Sequence, residues 1–407
     1  MWLLYTIVLA RSLDLEEFAI VVYSINVGML SALVISLGNE IALLRFVARS
    51  WGFADASTFR AVLVKCRKEV SYFGFIFLLF MAIAHWAGLE TPATDDLTVA
   101  ILCGVIGIIS AQTSLSQDFL RGAGYIWQSQ IGFNIIRTVV PTVLSFAWAV
   151  FFDLTVLIAL TIYAISVILS MFVQELIVFL ALSRYQGSGT EDVQTPSVRF
   201  EAMKVWPGNI ANAIQMRSGG LIAGLVLSPE YTALFLAAER FANVAHFPIA
   251  AVTQASAPAI ARVASLRKEE AQAYLRNASR LMMIGASMGC FLALGLGWVG
   301  LFLLGSEYVQ AFPILCVILA GYFSWSFFGL GQIALQNLGH FDKFSIISVV
   351  GCCLCVLASV AGAHLMGYIG LAFVYSLSWW ATNAAFVFAV YHITGRSVGV
   401  SALTRQS

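Results

Sequence analysis

Long stretches of this chain carry almost no charge. Residues 97–119 hold one acidic residue, Asp118, and residues 154–183 hold one, Glu175. At about 1.5 Å per residue, some twenty such residues in a helix cross a hydrocarbon core of about 30 Å. The runs recur from end to end, with 60% hydrophobic and 11% charged residues and a mean hydropathy of +0.89. Soluble chains carry about 25% charged residues. The pattern predicts an all-α polytopic membrane protein. A net charge of +1 points to no polyanionic partner, nucleic acid included.

The runs divide into twelve expected helices. The first ends near Leu13 and is too short to span, so it reads as the end of a helix whose beginning lies ahead of it. It has no basic leader or cleavage site, which argues against a signal peptide. The others cover about 18–47, 69–89, 97–119, 126–151, 154–183, 204–227, 231–262, 280–304, 309–336, 344–363 and 369–393. Alternate connections collect 18 of the 22 basic residues, and the opposite side has only Arg11. The positive-inside rule then puts both termini in the cytoplasm.

The halves repeat. At a shift of 213, Phe18 meets Tyr231 and Arg49 meets Arg262, and each second helix opens on a turn ending in Glu and an aromatic residue. This predicts a six-helix lobe over 1–183, a cytoplasmic linker over 184–203, a second six-helix lobe over 204–395 and a tail over 396–407. In a parallel repeat the substrate site is expected between the lobes, near the midplane.

Charges inside the runs are the candidates for function. Arg217 lies 11 residues past Trp206, and Glu239 and Arg240 lie 8 and 9 residues past Tyr231. Each is therefore about 12–16 Å deep, where one charge costs about 2.5–3.5 kcal/mol on the lenient scale. They must face protein or a wet cavity. Thr232, Glu239, Asn243, His246, Thr253 and Gln254 share one helical stripe, which reads as the wall of an aqueous path. Pro248 interrupts that helix just past His246. Asn26 corresponds to Glu239 in the first half. Arg217 and Glu239 can pair with each other, which leaves Arg240 as the free cation, or all three can meet substrate.

Other charges read as structural. Arg137 and Glu175 differ in expected depth by about 4 Å and are expected to brace the first lobe as an ion pair. Asp118 and Arg121, three residues apart, form a local pair. Arg45 and Arg49 share a face at the inner end of the second helix, as orientation anchors or as contacts to an anionic headgroup. The seven cysteines make no disulfide or metal pattern. No Gly-Lys-Ser/Thr phosphate loop is present, so ATP hydrolysis and a nucleotide cofactor are not expected.

Four segments carry a resemblance. Ala10-Arg11-Ser12-Leu13-Asp14-Leu15-Glu16-Glu17-Phe18, Leu37-Gly38 through Leu44-Arg45-Phe46-Val47-Ala48, Leu120-Arg121-Gly122-Ala123-Gly124 and Ser228-Pro229-Glu230-Tyr231 resemble short motifs of bacterial polysaccharide flippases. These Wzx-type proteins belong to the multidrug/oligosaccharidyl-lipid/polysaccharide exporter (MOP) superfamily. Asp14-Leu15 departs from the Gly-Pro usual there. The resemblance implies two six-helix lobes around a cavity that opens alternately to each side of the inner membrane. It also implies transport of undecaprenyl-diphosphate-linked oligosaccharide for surface polysaccharide, with a polymerase and a chain-length regulator as possible partners. Arg217 and Arg240 suit the diphosphate, although no family motif covers them. A cation-coupled exporter of small molecules on the same fold is the alternative; it calls for an acid deep in the first lobe, where only Glu40 qualifies. A polymerase or glycosyltransferase calls for a large outer loop, and every expected outer loop is short.

Overall fold

A computed structural model describes residues 2–51, 55–88, 91, 93, 96–185, 196–253, 268–337, 340–395 and 397–398, and among these no strand occurs. The all-α polytopic expectation holds, and among the described residues eight helical stretches are long and apolar enough to cross a membrane. The chain forms two compact units, Met1–Trp206 and Pro207–Ser407.

The first unit contains α1 (Trp2–Ser12), α2 (Leu15–Ser36), α3 (Asn39–Ser50), α4 (Ala56–Trp86), α5 (Leu97–Gly122), α6 (Ile126–Phe151) and α7 (Val156–Ser183). Helix α5 is its centre and packs on α2, α3, α4 and α7. Local chemistry sets the starts of two helices. Asp14 accepts from Glu17 N at 2.8 Å to cap α2, and Asp96 accepts from Thr98 N at 2.6 Å to cap α5. The bond from the Thr98 backbone holds the Asp96 carboxyl below its ordinary range.

Several helices depart from expectation, and the expected span 309–336 is divided among three helices of the second unit. The run at 18–47 is broken, because Leu37 and Gly38 both adopt left-handed backbone, with φ of 49° and 76°. Two such residues end α2 and let α3 leave in a new direction. Helices α4 and α10 begin 13 and 12 residues before the expected spans at 69 and 280. Their first turns hold Arg60, Lys65 and Lys68, and Arg276, so the polar ends continue as helix where hydropathy gives no signal.

The second unit contains α8 (Pro196–Val226, whose first residues belong to the first unit), α9 (Pro229–Ala242), α10 (Lys268–Leu304), α11 (Phe312–Tyr322), α12 (Ser324–Phe328), α13 (Gly331–Asn337) and α14 (Phe341–Thr394). A tight turn at Asn243–Ala245 follows α9, and helix resumes to residue 253. Pro248 lies just beyond and has no N–H to return to Val244, which accounts for the distortion. The 54 residues of α14 are two arms joined at Gly367 (φ 62°, ψ −147°). The arms run antiparallel: a Cβ placed on Gly362 would lie 2.8 Å from the Gly370 carbonyl oxygen.

That approach makes a prediction. Gly362→Leu should lower the unfolding midpoint, since overpacking costs about 1–3 kcal/mol. Gly295→Leu, where an added Cβ meets nothing within 4 Å, should leave it unchanged. Thermal unfolding of the solubilised protein checks both.

Candidate functional site

The deep charges of the second unit lie inside it. Glu239 and Arg240 are 5% and 7% exposed, and Arg217 on α8 is half-buried. The Glu239 carboxylate lies in the electrostatic field of both Arg240 and Arg217. Thr232, at the start of the same stripe, is buried and donates to Ala223 O at 2.9 Å. The expected aqueous wall is therefore corrected: from Thr232 to Arg240 the stripe packs on protein, because burial inside the lobe shields these groups from lipid without open water. Asn243 and His246, further along, are half-buried. Gln254 lies outside the described residues, and Thr253 is half-buried with its hydroxyl oxygen unpartnered.

The sequence reading missed the aromatic shell around these charges. Tyr322 donates to Asn243 Oδ1 at 3.0 Å, and Tyr375 donates to Met216 O at 2.9 Å. Both rings feel the Glu239 charge. The His246 ring stands 6.0 Å from Trp325, edge to face, and 6.4 Å from Tyr322. Trp379, 2% exposed, closes the group against Tyr322, Trp325 and Tyr375. Tyrosines buried with a hydroxyl partner often mark a polar network. In sequence they sit in apolar runs at 309–336 and 369–393 and look like ordinary membrane aromatics.

The first unit holds its charges in three places. Arg137 is 4% exposed and donates to Tyr163 Oη at 3.1 Å and to Ser110 Oγ at 3.0 Å. Its guanidinium also lies 5.1 Å from the centre of the Phe133 ring. Glu175 instead pairs with Arg67 of α4 and accepts from Ser116 Oγ at 2.6 Å. The expected Arg137–Glu175 brace is thus overturned. Gln174 bonds the backbone of Gly132 and Ser129, and Ser170 bonds Gly132 O, which sets Glu175 level with the start of α6. Arg137 lies five residues further along α6, roughly 7 Å deeper. A π-helical stretch at Ile131–Ile136 turns it toward Tyr163.

At the broken α2–α3 junction, Glu40 meets the Ser36 hydroxyl and the field of Asp118. Asp118 pairs with Arg121 at 3.1 Å, as expected. Asn26 is buried on α2. The side chains of Arg45 and Arg49 lie outside those described. Among the described residues, no group of three His, Cys, Asp or Glu could hold a metal ion.

The Arg67–Glu175 pair is testable. A double-mutant cycle on Arg67→Ala and Glu175→Ala should give a coupling of about 1 kcal/mol, modest because both side chains are about 30% exposed. The cycle on Arg137 and Glu175 should give none.

No family model matches the chain, and no curated protein matches it. Solved structures do. A multidrug resistance MATE family transporter of the MOP superfamily, inward-facing, gives a TM-score of 0.73 at 15% identity, covering 96% of this chain and 94% of that one. The MATE multidrug transporter DinF-BH, solved as a complex, gives 0.68 at 15% identity, covering 100% and 93%. A MOP superfamily transporter from Pyrococcus furiosus, described by the reverse polarity of its binding pocket and a different function, gives 0.63 at 15%, covering 97% and 95%. This chain therefore has the fold of the MATE transporters of the MOP superfamily.

Proposed function

We propose that this protein is an alternating-access transporter for an anionic lipid-linked substrate, a flippase for diphosphate-linked oligosaccharides of surface polysaccharide. The observation that carries the reading is that each unit buries arginine. Arg137 in one unit and Arg240 in the other are each less than a tenth exposed, and Arg217 adds a third arginine beside Glu239. Arg137 bonds neutral hydroxyls. Buried cations are costly; the single carboxylate of Glu239 offsets part of the charge of Arg217 and Arg240, and an anionic substrate would offset more during transport. Arginine also offers a planar donor fork suited to phosphate. The inner membrane, cytoplasmic termini, linker and tail belong to this reading.

A second reading has its own support. The similar solved structures include multidrug MATE transporters, so the fold comparison favours a cation-coupled exporter of small organic molecules at least as well. Buried Glu239 and the Glu40–Asp118 neighbourhood supply acids for such coupling.

Proteoliposomes separate the two. The flippase reading expects a fluorescent polyprenyl-diphosphate oligosaccharide to become accessible on the far leaflet without an ion gradient across an otherwise empty vesicle, or faster with one. Efflux of a fluorescent organic cation strictly dependent on a proton or sodium gradient, with no lipid translocation, would establish the exporter instead.

A further inference from the structure

Helix α6 carries one lane of polar side chains through an apolar span. Trp127, Gln130, Asn134 and Thr138 follow one another at spacings of three and four residues, which keeps them on one helix face. Asn134 lies 8 residues past Ile126, roughly 12 Å into the span. It is exposed, and Gln130 and Thr138 are half-buried. Trp127, at the start of the lane, is 72% exposed. An amide at that depth is costly in hydrocarbon, so this face meets water. The lipid-facing lane lies elsewhere on α6. Val143, Phe146 and Val150 are each more than half exposed, and Val143 comes nine residues after Asn134, about half a turn round the helix.

The lane keeps hydrogen-bonding capacity in reserve. Asn134 Nδ2 donates to Gln130 Oε1, and Gln130 Nε2 donates to Ser129 Oγ at 3.2 Å. Thr138 Oγ1 donates to Asn134 O at 2.6 Å. Among the described residues, Asn134 Oδ1 and the Trp127 indole N–H have no hydrogen-bond partner. The π-helical stretch Ile131–Ile136, which turns Arg137 inward to Tyr163 and Ser110, leaves Asn134 outside.

This chemistry selects an occupant. Residues 126–151 hold no acid, so an organic cation finds no counter-charge there. Their one cation, Arg137, is turned off this face, so the face itself offers a phosphate no charge. An amide presents a donor and an acceptor side by side, which matches two neighbouring sugar hydroxyls. An exposed indole packs on the apolar face of a pyranose while its N–H stays free to bond. From Trp127 to Thr138 the lane runs roughly 16 Å, room for a short oligosaccharide.

We propose that this lane contacts the sugar residues of the lipid-linked substrate through neutral hydrogen bonds, with Asn134 as the central specificity-determining residue. The proposal rests on the flippase reading and deepens it: arginines serve the diphosphate, and α6 reads the uncharged sugars.

The test compares two tritiated probes, polyprenyl-diphosphate-linked chitobiose and the same polyprenyl diphosphate without sugar, binding to the full chain in detergent. The wild-type chain should bind the sugar-bearing lipid at least tenfold more tightly than the bare one. Asn134→Leu and Asn134→Ala should both remove that difference, with the bare lipid's affinity and the unfolding midpoint unchanged. Gln130→Leu should cut it about threefold, and Asn134→Gln should keep part of it. Equal affinity of the wild type for the two lipids, or a tenfold difference that survives in the Asn134 variants, would overturn the lane. A difference lost in those variants, in a chain that fails to translocate the oligosaccharide lipid in vesicles, would keep the lane and remove the flippase reading. Translocation that Asn134→Leu leaves at the full rate would do the reverse.

Discussion

Arg240→Ala should leave little folded protein, and adding Glu239→Gln should bring the protein back without restoring transport. Arg240 and Glu239 are both buried in the second unit, and Arg240 is the first of the two cations acting on the Glu239 carboxylate. Removing one partner of a buried pair costs about 3–5 kcal/mol, and here Arg217 remains near the carboxylate and offsets part of that loss. That is a large part of a total stability of about 5–15 kcal/mol. Neutralising Glu239 removes the carboxylate left with Arg217 as its remaining neighbouring cation, so the double variant should recover most of its abundance, read as monodisperse protein after solubilisation. If Arg240 meets the substrate diphosphate, its translocation should still fall at least tenfold. A double variant that both folds and transports normally would make the pair structural only.

Arg137→Met should act in the opposite direction on stability. The arginine is 4% exposed and bonds Tyr163 and Ser110, both neutral. Methionine keeps much of the volume and removes a buried charge, and apolar replacement of buried ionic groups is often neutral or stabilising by about 1–4 kcal/mol. Ser110 can turn its hydroxyl to the helix backbone, which limits the loss. The unfolding midpoint should stay level or rise by several degrees, about 2–4 °C per kcal/mol for a unit of this size. Translocation of the oligosaccharide lipid should drop about tenfold. A lowered midpoint with unchanged transport would show that Arg137 holds the first unit together and does not serve the substrate.

These two arginines show where sequence reasoning stops. Their depth follows from counting residues along an apolar run, since each residue adds about 1.5 Å. Their burial follows too, because a charge at that depth cannot face lipid cheaply. Depth alone is a poor guide to partners. Gln174 and Glu175 are neighbours in sequence, yet about 100° of helical rotation separates them. One bonds the backbone of α6 and the other pairs with Arg67 on α4. The expected Arg137–Glu175 pair failed on that rotation and on a depth error of a few ångströms.

Local composition and distance along single helices were enough for the all-helical membrane character, the turn that separates the last two spans and the identity of the deep charges in α8 and α9. Packing between helices settled the rest: the break at Leu37–Gly38, the π-helical turn before Arg137 and the shell of Tyr322, Trp325, Tyr375 and Trp379 around Glu239. The shell residues lie far along the chain from the charge they enclose. In an apolar run, a tyrosine destined for a polar network has the same pattern as one facing lipid. Which of the two it becomes depends on which helix packs against its face.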